Sequence, residues 1–240
     1  MLVYPAIDLL NGQCVRLYKG DYAKSERVAN DPLDAAKSFM DEGATHLHTV
    51  DLDGAKTGSC VNFSIIEKIA NLGLIIQTGG GIRDISRFKM CLDAGVSRVI
   101  LGSAAVTDRD FLVQALTDFA GHTIVGIDML DNYVRTSGWI DNAMIDYLSF
   151  ARDIVKLGTK TIIFTDISRD GTLQGISSEP VQKLRNALPD VELIVAGGVR
   201  NLNDIDLLLD LKIDGAICGK SLYSGTLVLA DAINRCKHAR

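Results

Sequence analysis

Ile75-Ile-Gln-Thr-Gly-Gly-Gly-Ile-Arg83 decides the fold, because the chain carries the same phrase again. Its core, Gly79-Gly-Gly-Ile-Arg83, returns as Ala196-Gly-Gly-Val-Arg200, 117 positions further on (79 to 196). Val99-Ile-Leu-Gly-Ser103 returns as Ala216-Ile-Cys-Gly-Lys220 at the same spacing (99 to 216). Val50-Asp51 matches Thr165-Asp166 and Ile7-Asp8 matches Ile127-Asp128, at 115 and 120 positions. Four features recurring in order, half a chain length apart, mark an internal duplication. Each copy follows a short apolar run. The eight such runs lie near Val3–Asp8, His46–Asp51, Ile75–Thr78, Arg98–Leu101, Ile124–Asp128, Ile162–Asp166, Glu192–Ala196 and Ala216–Cys218. They are nearly continuous rather than alternating, as strands covered on both faces must be.

Between these runs lie helix-length amphipathic segments: Pro32–Glu42, Phe63–Asn71, Asp84–Ala94, Asp108–Phe119, Met144–Leu157, Glu179–Ala187, Asn201–Leu211 and Leu227–Cys236. Asp31 followed by Pro32 reads as an N-cap with proline at the first helical position, and Gly43 as the stop. Eight strands alternating with eight helices predict a parallel sheet with right-handed crossovers. An open doubly wound sheet is the alternative, which the repeat disfavours. At 240 residues the chain has the usual size of one closed barrel. The expectation is an α/β fold, a TIM (β/α)8 barrel made of two similar half-barrels. The span 1–240 forms one domain whose repeat runs roughly over 1–120 and 121–240, since four β/α units cannot close alone.

Composition narrows the functional classes. Hydrophobic residues make up 47% of the chain, enough for a large core. No apolar run approaches the length of a membrane span, and MLVYPAIDLL has no basic leader region, so no membrane partner or signal peptide is expected. Net charge is −5 without a basic cluster, which makes nucleic acid an improbable partner. The five cysteines are scattered with no C-x-x-C pair, pointing to reduced thiols, a cytoplasmic location and no zinc site. With this net charge, an anionic ligand has to be held by local backbone N–H groups and a few cations.

In barrels of this kind the reactive groups sit at strand C-termini and in the loops after them. Gly80-Gly81 and Gly102-Ser103 follow strands three and four; Gly197-Gly198 and Gly219-Lys220-Ser221 follow strands seven and eight. Glycine permits close backbone approach to an anion. A lone pair is as readily a tight turn, but the duplicated set predicts two phosphate sites on opposite sides of the mouth. The expected partner is a long small molecule with a phosphate at each end. Asp8 and Asp128 end the first strand of each half and would face each other between those sites. Either alone reads as a loop cap; as a pair they suggest a general acid and a general base.

The loop Thr165-Asp166-Ile-Ser-Arg-Asp170-Gly-Thr172 adds three polar groups at the same face, with Asp51 and Asp53 as counterparts after strand two. Arg16 and Arg83 are candidate phosphate clamps, with pairing to surface acids as the alternative. His48 reads as a hydrogen-bonded core residue rather than a base and is kept, with Gly175, among the binding candidates. His46, His122 and His238 read as surface groups. Trp139, the single tryptophan, lies in a polar loop after strand five, where it either packs, as a buried tryptophan usually does, or stacks on a planar heterocycle. Gly12–Asp31 reads as a long charged loop, a candidate lid. No His/Asp/Glu spacing suggests a metal.

Taken in order, Pro5-Ala-Ile-Asp8-Leu, Gly12-x-x-Val15-Arg16-Leu, Val50-Asp51-Leu-Asp53-Gly-Ala, Gly79-Gly-Gly-Ile-Arg83, Thr165-Asp166-Ile-x-x-Asp170-Gly-Thr172 and Ala196-Gly-Gly-Val199 resemble the ProFAR isomerase family of histidine biosynthesis. The resemblance covers nearly the whole chain. It implies an Amadori rearrangement, aldose to ketose, of an aminated sugar carrying a phosphate at each end. It further implies Asp8 as proton acceptor, Asp128 as proton donor with Asp170 as the competing donor, Thr165 as a hydrogen-bonding assistant and Trp139 as the stacking residue. No cofactor is implied, and the chain is expected to act as a monomer. One departure falls at positions 130 to 133, where the family tends to carry a basic residue and a glycine. The sister barrel, the cyclase subunit of imidazole glycerol phosphate synthase, normally reads Pro-Cys-Leu-Asp and then a catalytic lysine. Here Ala6 and Arg16-Leu17 stand instead. A dual-substrate isomerase that also takes phosphoribosylanthranilate uses the same chemistry and differs only in loop contacts. A catalytically dead binding barrel would have lost the two aspartates.

Overall fold

A computed structural model describes residues 1–139 and 141–238. Its barrel strands are β1 (Leu2–Leu10), β2 (His46–Asp51), β3 (Ile75–Gly79), β4 (Arg98–Leu101), β5 (Thr123–Leu130), β6 (Thr161–Asp166), β7 (Glu192–Ala196) and β8 (Gly215–Cys218). Every neighbouring pair is parallel, and β8 returns to β1, so the eight-stranded ring is closed. Closure puts β1 and β5 four strands apart, on opposite walls, and with them Asp8 and Asp128.

Side chains alternate in and out along each strand. Outward-pointing Ile7, Leu47, Ile76, Val125 and Phe164 join the helices in one continuous core. Inward-pointing Tyr4, Ala6, Ile124, Ile163, Ile194 and Ile217 fill the barrel itself. Burying each large aliphatic side chain contributes about 1.5–3 kcal/mol. Tyr4 needs room, and Gly215 provides it: a Cβ there would stand 2.9 Å from the Tyr4 ring. The expected caps form. Asp31 accepts from the backbone N–H groups of Leu33 and Asp34 at the start of helix Pro32–Asp41, and Asp84 caps helix Ile85–Asp93. Asn201 and Asp204 make a reciprocal capping box at helix Leu202–Asp210.

Two segments depart from expectation. Gly12–Asp31 is not a loop. Gln13–Tyr18 and Asp21–Ala29 are antiparallel strands, the first paired with the end of β1. In the other half, Tyr133–Thr136 pairs with the end of β5, and Asp141–Asp146 pairs with it in turn. Met144–Asp146 therefore belong to a strand, and the next helix is Tyr147–Lys156, capped by Asp146. Each half thus raises one hairpin over the barrel mouth. Three short helices, Leu52–Thr57, Ser103–Thr107 and Lys220–Tyr223, supplement the predicted set.

The duplication extends to backbone packing. A Cβ on Gly80 would stand 2.1 Å from the Asp51 carbonyl oxygen, and one on Gly197 would stand 2.5 Å from that of Asp166. Both glycines also have positive φ, 106° and 84°. Each half folds its glycine loop onto the end of the preceding strand through the same contact, which no side chain would tolerate.

Candidate active site

The C-terminal mouth of the barrel is a cavity of about 1470 Å³, open solvent included. Gly80, Gly81, Arg83, Gly102 and Ser103 line one side; Gly197, Gly198, Gly219 and Lys220 line the other. Between them stand Asp8, Arg16, His48, Asp128, Thr165 and Asp170, with Trp139 over the top. Nearly all the residues singled out from sequence therefore converge. Two of the binding candidates do not line the mouth. Gly175 (φ 84°) packs behind Gly198 and against the Asp204 carboxylate, and Ser221 is buried behind Lys220. Arg83 lies across the Gly58 backbone, which leaves no space for a side chain there.

Asp8 is mostly shielded, its side chain 13% exposed, and its Oδ2 lies 2.8 Å from Arg16 Nη1. Arg16 is buried, and its Nη2 lies 3.6 Å from Asp170 Oδ1. Arg16 is thus neither a free phosphate clamp nor a partner of surface acids. Its guanidinium rests on Gly219, where a Cβ would come within 2.4 Å. Burial raises the Asp8 pKa to about 6, against the lowering influence of Arg16, and the nearby charge of Asp170 pushes it further up. Asp8 therefore takes and releases protons close to neutrality.

Asp128 sits in a different setting. Burial raises its pKa as well, but neutral donors, the Thr165 hydroxyl and the Trp139 indole N–H, hold its charged form. The Thr165 contact follows from register, since Thr165 of β6 lies directly beside Asp128 of β5. Asp170 is likewise raised by burial and restrained by Arg16, Lys220 and the Gly171 backbone N–H. Asp51, Asp53 and Asp166 are occupied elsewhere. Asp51 accepts from the Gly54 and Asn62 backbone N–H groups, each at 2.8 Å, and Asp53 from the Asn11 N–H at 2.6 Å. Asp166 accepts from Ser168 within its own loop.

The two hairpins and the loop after β6 meet above these acids. Trp139 lies flat on Gly20, where a Cβ would stand 2.1 Å from the ring. The Ser137 N–H donates to Ser103 Oγ at 2.8 Å, tying this hairpin to the glycine loops of the other half. The Lys19 N–H donates to the Asp170 carbonyl at 3.1 Å. His48 is buried with its pKa lowered to about 3 by desolvation and by Arg16, so it is a neutral imidazole. Sequence reading missed Gln77, whose Nε2 lies 3.2 Å from His48 Nδ1. A polar residue within Leu74-Ile-Ile-Gln-Thr78 was the available signal.

Fold and mouth together define a class: a duplicated (β/α)8 barrel in which two buried carboxylates of unlike surroundings face each other between paired glycine loops. Comparison with known proteins is consistent with it. The family model described as histidine biosynthesis protein matches residues 2–228. The chain is 45% identical over 240 residues, all of both chains, to the 1-(5-phosphoribosyl)-5-((5-phosphoribosylamino)methylideneamino) imidazole-4-carboxamide isomerase of Listeria welshimeri. It is 45% identical to the isomerase of the same name from Clostridium botulinum, covering 98% of this chain and 99% of that one. With the Clostridium beijerinckii isomerase the identity is 44% over the full length of both. The chain belongs to the histidine biosynthesis protein family and stands with its isomerases.

Proposed function

We propose that this chain catalyses the Amadori rearrangement of ProFAR, an imidazole carboxamide with two phosphoribosyl arms, into its ketose isomer. The supporting observation is the environment of the two aspartates: one proton-exchanging carboxylate near pH 6 faces a second one held by neutral donors, midway between two duplicated glycine loops. The relatives' shared name describes an isomerase whose ligand carries a phosphoribosyl group at each end, which suits a mouth with one glycine cradle on each side. Each cradle takes one phosphate, Arg83 serving the first and Lys220 the second.

The chemistry then divides between the walls. Asp128 protonates the ring oxygen of the aminated ribose, the ring opens, and the nitrogen lone pair forms a C1=N iminium. Asp8 removes the C2 proton, and those electrons move to the iminium nitrogen, giving an enolamine. A proton returns to C1 and the enol O–H proton leaves, which yields the ketose with no net gain or loss. The iminium is the electron sink, so the reaction calls for no metal or redox group. Holding base and carbon in one geometry supplies much of the rate. Asp170 is the competing donor by resemblance to the family, and burial raises its pKa at the same mouth.

No helix among the described residues is long and apolar enough to cross a membrane. The chain is read as a cytoplasmic monomer without nucleic-acid or membrane partners; light scattering at the 25.9 kDa protomer mass tests the monomeric state. The decisive assay offers the purified protein three substrates: ProFAR, phosphoribosylanthranilate, and the ketose product with ammonia. Turnover of ProFAR alone supports the proposal. Turnover of the second indicates a dual-substrate isomerase, and of the third the cyclase.

A further inference from the structure

A chain of polar side chains runs through the barrel interior from its closed end to the mouth, although apolar residues fill the rest. At the closed end Arg98 of β4 makes a bifurcated contact with Glu192 of β7, Nη1 lying 3.1 Å from both carboxylate oxygens. Thr161 Oγ1 donates to the same carboxylate at 2.7 Å. The other arm of Arg98, Nη2, donates to the Tyr4 hydroxyl and, at 3.2 Å, to Gln77 Oε1. The Gln77 amide nitrogen in turn lies 3.2 Å from His48 Nδ1. The strand register sets these neighbours, since His48 is level with Gln77 and Gln77 with Arg98.

The direction of each bond follows from the donor inventory. A guanidinium only donates, so Gln77 must turn its oxygen to Arg98 and its NH2 to His48. That NH2 only donates, so His48 Nδ1 accepts. A neutral imidazole has a single N–H, which therefore rests on Nε2. Nε2 has no hydrogen-bond partner among the described residues, and His48 lines the mouth. His48 is level with Ala6 on β1, one inward position below Asp8.

We propose that the Glu192–Arg98–Gln77 relay fixes His48 as a neutral Nε2–H donor that hydrogen-bonds the sugar oxygen on the carbon deprotonated by Asp8. Gln77, Arg98 and Glu192 are positioning residues; only His48 touches the substrate. The proposal rests on the isomerase reading, since it assigns His48 an oxygen of that substrate. Desolvation keeps the imidazole uncharged across the working pH range, so it donates without competing with Asp8 for the proton.

The test is nitrogen-15 NMR of the substrate-free protein, whose four histidines are assigned with a His48→Gln variant, paired with kinetics. The wild type is expected to show His48 as the Nε2–H tautomer. Gln77→Glu replaces a donor by an acceptor, so His48 should move its proton to Nδ1. Turnover should then fall about a hundredfold, as on loss of one aligned donor, with KM changed less than threefold. A wild-type Nδ1–H tautomer overturns the proposal even if Gln77→Glu does not fold. So does a Gln77→Glu variant with the moved proton and unimpaired turnover. Failure of the wild type to turn over ProFAR would sink the isomerase reading instead, and the tautomer result would stand apart from it.

Discussion

The two halves of this barrel share backbone contacts at the mouth and differ in chemistry. Gly80 and Gly197 pack on the carbonyls of Asp51 and Asp166 in the same way, and each half raises a hairpin from its first strand. The acids at the ends of those strands differ in what they touch. Asp8 faces a guanidinium, and Asp128 faces a hydroxyl and an indole. By strand register Thr136 takes the place in the second hairpin that Arg16 has in the first, since Gln13 pairs with Leu10 and Tyr133 with Leu130, so the second half puts no arginine where Arg16 stands. Duplication supplied two equivalent positions. In the proposed reaction, divergence of their neighbours is what would let one serve as base and the other as acid.

The largest effect that would break this comparison is loss of the base. Asp8→Asn keeps the shape and removes the proton acceptor. Turnover should fall at least about a thousandfold while substrate affinity stays within roughly tenfold, because a base acts mainly in the transition state. Steady-state kinetics and calorimetric binding give the two numbers. Near-normal turnover would mean that the halves are not divided as argued. Thr165→Val asks the same of the other wall, with a smaller loss of about ten- to a hundredfold. Removing a donor to the charged carboxylate raises the Asp128 pKa further. An acid that must be protonated then stays so to higher pH, and the basic limb of the kcat/KM profile should shift upward while the acidic limb stays in place.

The acidic limb belongs to Asp8 and should fall near pH 6, the value burial gives it. Below that pH the base is protonated and the rate declines. Arg16 lowers this pKa, so Arg16→Met should shift the limb to higher pH and reduce activity at pH 6 more than at pH 8. An unmoved limb would detach Asp8 from the profile.

Much of this is legible in the amino-acid sequence alone. The eight strands were readable because both their faces are covered, and the glycine loops because they repeat. The outer hairpin strands were not. Asp21–Ala29 is almost wholly exposed along Lys24–Arg27, so it carries no apolar signature, and Lys19-Gly20 reads as loop. Met144–Asp146 reads as part of the helix that follows, because Met144 and Ile145 suit an amphipathic pattern although both are exposed. Arg16 was legible as a site residue but not its partner. The Asp8 contact depends on a hairpin whose pairing no local pattern specified. The same holds for Arg98, Gln77 and Glu192, which meet only because the barrel closes.

The smallest predicted effect lies where the halves touch. Trp139 reaches Asp128 only by lying on Gly20 of the opposite hairpin, with no space for a methyl group between them. Gly20 also has a φ of 72°, which costs a side-chain-bearing residue about 1–2 kcal/mol. Gly20→Ala should therefore push the indole off its seat rather than unfold the barrel, whose strands lie beneath. With a single tryptophan in the chain, intrinsic fluorescence reports the displacement directly. Asp128 would lose one of its two neutral donors, so the basic limb should rise as in Thr165→Val, but with only a few-fold loss of turnover because Thr165 remains. If the fluorescence moves and the limb does not, the indole contributes nothing to the acid, and Thr165 alone distinguishes Asp128 from Asp8.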